Sequence, residues 1–151
     1  MKRIFYFLFF AFAFSSAQAQ MVNPVQWTYT AKKVADKTYE IHLTANIQSN
    51  WHLYSQTQPE DAINQPTEIK FNKNPLFTLD GAVKEVGKMK LFKDEKLKIS
   101  ANQYSEKVDF VQTVKLKANV KTNIVGSVEY QTCDDKKCLP PKKVDFTVAL
   151  N

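Results

Sequence analysis

The sequence predicts an all-β fold, two antiparallel sheets packed face to face, and three observations carry that prediction. Apolar and polar residues alternate with period two along several stretches, the pattern of strands with one buried face. Helix signals are nearly absent. Turn residues divide about 130 residues into many short segments, as in a sandwich of antiparallel strands.

The clearest strand runs from Tyr39 to Ile47, where Tyr39, Ile41, Leu43, Ala45 and Ile47 alternate with Glu40, His42, Thr44 and Asn46. Val25, Trp27 and Tyr29 mark an earlier strand, joined to it by a turn at Ala35-Asp36-Lys37. Thr67 to Phe71 and Leu76 to Leu79 are short strands, the second ended by the turn pair Asp80-Gly81. Lys88 to Phe92 and Leu97 to Tyr104 flank the charged run Lys93-Asp94-Glu95-Lys96 and form a hairpin. Val108, Phe110, Val114 and Leu116 share one face of the next strand, and Ile124, Gly126, Val128 and Tyr130 one face of the strand after it. Val144, Phe146, Val148 and Leu150 close the series. The segment Asn50 to Pro66 reads as a long loop with one helical turn at Gln58 to Ile63. There Pro59 suits a first helical position, and Glu60 and Asp61 suit the N-terminal end of the dipole.

The first residues stand apart from this pattern. Lys2 and Arg3 precede an apolar run of eleven residues, Ile4 to Phe14, and Ser15-Ser16-Ala17-Gln18-Ala19 ends in a small-x-small cleavage pattern. The run is shorter than the roughly 20 residues a spanning helix needs. Residues 1–19 are therefore expected to be a cleaved signal peptide, and residues 20–151 a single exported domain. Removing 19 of 151 residues leaves 132, and losing Lys2 and Arg3 lowers the net charge from +6 to +4. That charge is scattered over lysines along the chain, a solvated surface and not a nucleic-acid footprint.

The only two cysteines, Cys133 and Cys138, lie in Tyr130-Gln131-Thr132-Cys133-Asp134-Asp135-Lys136-Lys137-Cys138-Leu139-Pro140-Pro141. An exported compartment permits them to pair. The strand ending at Gln131 and the one starting near Lys143 are expected to be hairpin partners, which places both cysteines in the connection between them. As a staple, a disulfide there would close a ring of six residues, for which loop entropy gives only about 2 kcal/mol. As an exchange site, it offers a reachable sulfur and an adjacent cysteine that resolves a mixed disulfide. Spacing leaves both readings open. A structural stiffener of a binding loop is the reading from another class. A zinc site lacks ligands, since His42 sits on the polar face of a strand and His52 near aromatics. Three glycines in the whole chain leave no nucleotide-binding loop and no Gly-x-Ser-x-Gly elbow.

The motif Tyr130-Gln131-x-Cys133 with Cys138-x-Pro140-Pro141 resembles the active-site signature of the N-terminal periplasmic domain of DsbD, the thiol:disulfide interchange protein. Trp51-His52-Leu53-Tyr54 falls where that family carries an aromatic segment beside the site. Gly87-Lys88 with Leu91-Phe92-Lys93-Asp94 is similar to the strand and turn after the family's cap loop. The resemblance implies an immunoglobulin-like β-sandwich that carries reducing equivalents in a reversible Cys133–Cys138 disulfide, without any other cofactor. It implies Cys138 as the sulfur attacked by and linked to partners, and Cys133 as its resolving partner. Trp51, His52, Tyr54, Phe92, Tyr130, Leu139 and Pro140 are the expected lining.

The implied partners are a thioredoxin-like donor, periplasmic disulfide isomerases or other oxidised thiol proteins as acceptors, and, more widely, cytochrome c biogenesis. Because the sequence stops at Asn151, a separate membrane reductase is expected to supply the electrons. Two departures stand out. The best-known members have one more residue between the cysteines. Where their cap loop carries an aromatic shield, this sequence has Lys84, Glu85 and Val86, leaving Phe92 and Trp51 as the aromatic candidates.

Overall fold

A computed structural model describes residues 22–150, so the expected signal peptide and its cleavage point lie outside the described residues. Eleven strands and no helix make up the described chain: β1 (Val25–Ala35), β2 (Thr38–Ile47), β3 (His52–Tyr54), β4 (Glu68–Phe71), β5 (Phe77–Gly87), β6 (Lys90–Asp94), β7 (Ile99–Tyr104), β8 (Lys107–Leu116), β9 (Thr122–Tyr130), β10 (Thr132–Cys133) and β11 (Lys142–Leu150). They pair antiparallel in three groups, ordered β1-β2-β8-β5, β10-β3-β7-β6 and β11-β9-β4.

The alternation that defines β2 also decides its register. Tyr39, Ile41, Leu43, Ala45 and Ile47 are all buried, and a shift of one residue would turn every one of them to solvent. On β2, Leu43 pairs with Phe110 of β8, and both side chains are fully buried. The same cluster takes in Ile124 and Val128 of β9, Phe146, Val148 and Leu150 of β11, Leu53 of β3 and Tyr104 of β7. One core thus joins all three groups into an immunoglobulin-like sandwich. Aromatic rings of β1 bridge its layers: Trp27 lies 5.9 Å from Phe110 and 5.3 Å from Tyr130, and Tyr29 lies 5.5 Å from Phe146, centroid to centroid. These distances fall within the favourable range for aromatic pairs. Gly126 is dictated by packing, since a Cβ there would collide with the Lys70 carbonyl of β4 and the Phe146 ring.

Three local expectations are corrected. Asp80-Gly81 does not end a strand. β5 runs through it, and its pairing with β8 slips between Asp80 and Lys84, with Gly81 at φ 72°. The reason is Gln112, a buried polar residue on the apolar face of β8, whose Nε2 donates to the carbonyls of Asp80 and Gly81 at 3.2 Å each. The bulge's unpaired carbonyls are thereby satisfied without ending the strand. Second, Asn50 to Pro66 is not all loop, because His52–Tyr54 forms β3 between β10 and β7. Third, Gln58 to Ile63 makes one hydrogen-bonded turn, Ala62 N to Pro59 O at 3.1 Å, and no helix. The Gln58 and Asp61 side chains are engaged by β7 instead: Gln58 Nε2 donates to Asn102 O at 2.8 Å, and Ser100 Oγ donates to Asp61 Oδ1 at 2.5 Å.

Candidate functional site at the Cys133–Cys138 loop

β9 and β11 form the expected hairpin, in register from Tyr130↔Lys142 to Thr122↔Leu150. At Gln131 the chain leaves this pair. Thr132 and Cys133 cross to the other group as β10, opposite Leu53 and His52 of β3. This crossing fixes where the site lies, because Cys133 is held on β3 while Cys138 stays in the returning loop.

The loop is a miniature hairpin. Leu139 N donates to Thr132 O and Asp134 N donates to Lys137 O, both at 2.9 Å. Asp134 Oδ1 accepts from Lys136 N at 2.8 Å and Lys137 N at 2.7 Å, an Asx-type turn. Those two backbone donors, assisted by the lysine charges, hold the Asp134 carboxyl below its ordinary value. Gln131 braces the base, its Nε2 donating to Leu139 O at 3.3 Å. The disulfide joins Cys133 and Cys138 across this frame, with their Cα atoms 4.0 Å apart. Its two sulfurs belong to differently placed residues: Cys133 is 4% exposed, and Cys138 lies on the surface.

Beside the disulfide lies an open cavity of about 540 Å³. β3 contributes His52 and Tyr54 to its wall, β6 contributes Phe92 and Asp94, and the turn after β6 contributes Leu97. His52 Nδ1 lies 2.9 Å from Ser105 Oγ, and its Nε2 lies 3.7 Å from Asp135 Oδ1. Burial pushes the Tyr54 hydroxyl above its ordinary value, partly offset by a hydrogen bond with the Asn64 side chain. The cavity's apolar wall is unusually exposed, with Phe92 at 45% and Leu97 at 67%. Apolar surface left open beside a reactive group is the composition of a docking face.

Of the residues singled out in the sequence, Cys133, Cys138, His52, Tyr54 and Phe92 therefore share one cavity. Trp51 and Tyr130 lie beneath it in the core. Leu139 is half-buried against that core, and Pro140 is exposed beyond the loop. Glu85, in the segment matching the cap loop, does not cover the sulfurs. Its carboxylate accepts from Ser55 Oγ at 2.7 Å, Gln56 N at 2.6 Å and Tyr104 Oη at 2.7 Å. That clasp fastens the start of the loop from Ser55 to Thr67 to the sandwich. Burial, and then the neighbouring carboxylate, raise the Tyr104 hydroxyl's pKa above its ordinary value.

The fastened loop brings in residues that sequence reasoning missed. Ile63 and Asn64 line the same cavity, and Asn64 Nδ2 donates to Cys133 Sγ at 3.5 Å and Cys138 Sγ at 3.7 Å. Ile99 and Gln103 of β7 complete the wall. No local spacing signals these positions. Among the described residues, no group of three His, Cys, Asp or Glu side chains is arranged to hold a metal ion.

An antiparallel sandwich carrying a surface disulfide in an edge hairpin, beside an open apolar cavity, has the anatomy of a β-domain built for thiol–disulfide exchange. The family model described as thiol:disulfide interchange protein DsbD, N-terminal, matches residues 18–150, and the chain belongs to that family. The reduced N-terminal domain of Neisseria meningitidis DsbD shares the fold. It is 16% identical, with a TM-score of 0.51 over 83% of this chain and 86% of that one. The N-terminal periplasmic domain of ScsB from Proteus mirabilis also aligns, 17% identical at a TM-score of 0.48, over 83% of this chain and 44% of that one. So does a structure of the complex between the DsbD and PilB N-terminal domains of Neisseria meningitidis. There the identity is 16% and the TM-score 0.48, over 85% of this chain and 87% of that one. No curated protein matches the chain in sequence.

Proposed function

We propose that the chain is an exported carrier of reducing equivalents, taking two electrons from a thioredoxin-like dithiol and passing them to an oxidised periplasmic protein. The observation that carries this reading is the asymmetry of the pair: Cys138 is exposed at the cavity, and Cys133 is buried behind it.

The exchange runs in two halves. A donor thiolate attacks Cys138 Sγ, the Cys133–Cys138 bond breaks, and its electron pair leaves on Cys133 Sγ. The donor's second thiolate then attacks the donor sulfur of the mixed disulfide and releases Cys138 as a thiolate. The donor is now a disulfide and the carrier a dithiol. In the second half, Cys138 attacks an acceptor disulfide, and Cys133 attacks Cys138 Sγ in that mixed disulfide, freeing the acceptor as a dithiol. Both halves use thiolate nucleophiles and an in-line sulfur, and the cysteine pair is the only electron carrier required.

The setting belongs to the same proposal. Family membership and the leader-like first residues support the periplasm. Among the described residues, no helix is long and apolar enough to cross a membrane. The electrons would reach the chain by way of the thioredoxin-like donor. Exposed Phe92 and Leu97 beside Cys138 give such a donor an apolar face to dock on.

The test is to mix the oxidised protein with a stoichiometric amount of a reduced thioredoxin-like protein and follow free thiols on Cys133 and Cys138 by alkylation and mass. Transfer within seconds to minutes is expected. A disulfide that stays intact over hours would contradict the carrier.

A further inference from the structure

We infer that Asn64 is a catalytic residue of this exchange, its side-chain amide stabilising the thiolate that leaves on Cys133; the inference rests on the exchange reading above. The leaving sulfur is the buried one, at a residue 4% exposed. Water therefore gives it little solvation, and a charge forming there needs a donor from the protein. Among the described residues, the hydrogen bonds to either sulfur come from Asn64 Nδ2, at 3.5 Å to Cys133 and 3.7 Å to Cys138. His52, paired with Cys133 across β3 and β10, is turned to other partners, Ser105 and Asp135.

The amide is placed there by contacts on both sides of it. Before Asn64, Ser100 Oγ holds Asp61 Oδ1 at 2.5 Å. After it, Gln65 N donates to Gln131 Oε1 at 2.9 Å, and Gln65 Nε2 donates to Glu129 Oε1 at 3.0 Å. Gln131 is the residue that also braces the cysteine loop. The Gln131 side chain thus ties the loop carrying Asn64 to the cysteine loop, and Asn64 moves only if these anchors let go. When a thiolate attacks Cys138 Sγ, the sulfur–sulfur bond breaks and its electron pair passes to Cys133 Sγ. The Asn64 N–H then turns from a weak contact with a neutral sulfur into a hydrogen bond to an anion. That bond is stronger in the transition state than in the ground state, so it accelerates the step. No proton moves, since an amide keeps its hydrogen.

Asn64→Ala and Asn64→Asp separate this role from simple covering of the disulfide. A cover removed by Ala would speed reduction, and a cover kept by Asp would leave it unchanged. A donor predicts that both variants slow it. With the full oxidised chain and excess dithiothreitol, the expected result is a rate about tenfold lower for Asn64→Ala, and at least as low for Asn64→Asp, whose carboxylate repels the forming thiolate. In the reduced chains, thiolate ultraviolet absorbance should rise at higher pH in Asn64→Ala than in the parent, because the amide no longer favours the charged sulfur. A parent-like or faster rate with an unmoved titration overturns the inference. The dithiothreitol reaction needs no protein partner. Failure of the parent chain to react with a thioredoxin-like protein would instead count against the carrier reading.

Discussion

Replacing Cys138 by Ser is expected to abolish electron transfer and leave the domain folded, whereas Cys133→Ser is expected to accumulate a mixed disulfide with the partner. The two outcomes follow from the different positions of the two residues. Cys138 is the exposed member of the pair, and on the proposed carrier reading it is the sulfur that partners reach, so without it no covalent intermediate is expected to form. Cys133 is buried on β10; without it, Cys138 still attacks an acceptor disulfide, but nothing inside the domain resolves the product. Folding tolerates both changes. The ring closed by the disulfide spans five positions of sequence separation, and loop entropy assigns such a ring only about 2 kcal/mol, against roughly 5–15 kcal/mol for a typical domain. Thiol trapping with mass measurement, beside thermal melting monitored by circular dichroism, reads both properties. Residual turnover in Cys138→Ser, or an unfolded Cys138→Ser chain, would contradict this account.

Phe110→Ala produces the largest loss of stability expected of a single truncation. Phe110 is fully buried on β8, which lies between β2 and β5. Its neighbours in register are Leu43 on one side and Glu85 on the other, and its ring packs on Trp27. Truncation removes the ring from a site whose walls belong to paired strands and cannot collapse into the gap. Losses of about 3–5 kcal/mol are typical of such changes. The expected result is a large drop in the urea midpoint at an unchanged slope, since the surface exposed on unfolding stays nearly the same. Because Glu85 fastens the loop that carries Asn64, the site should loosen along with the sheet. A loss below about 1 kcal/mol would mean that the core lies elsewhere.

How much of this could be read beforehand depended on whether the information was local. β2, β8, β9 and β11 carry their own evidence, because a strand with one buried face writes period two into its sequence. The same logic failed where a strand was too short to show a period, as with His52–Tyr54. It failed again where a polar residue sat inside for a reason several strands away, as Gln112 does in serving the carbonyls at Asp80 and Gly81. The cysteine pair was legible because its members are close in sequence and there are no others. Asn64 was not, since its contact with Cys133 spans 69 positions and depends on how Asp61 and Gln65 are anchored. Glu85 shows the same limit from the other side. Its place in the cap-like segment was visible, but its role as a clasp for Ser55, Gln56 and Tyr104 required the sheets to be assembled.

The reduction potential of the Cys133–Cys138 pair, measured by equilibration in glutathione or dithiothreitol buffers, tests the central claim most directly. Structural disulfides of secreted proteins lie below about −300 mV, and exchange-active ones lie higher. The carrier reading predicts a value clearly above that boundary, with equilibrium reached quickly from both the oxidised and the reduced side. A value below it, approached only slowly, would make the disulfide a fixed crosslink and contradict the carrier.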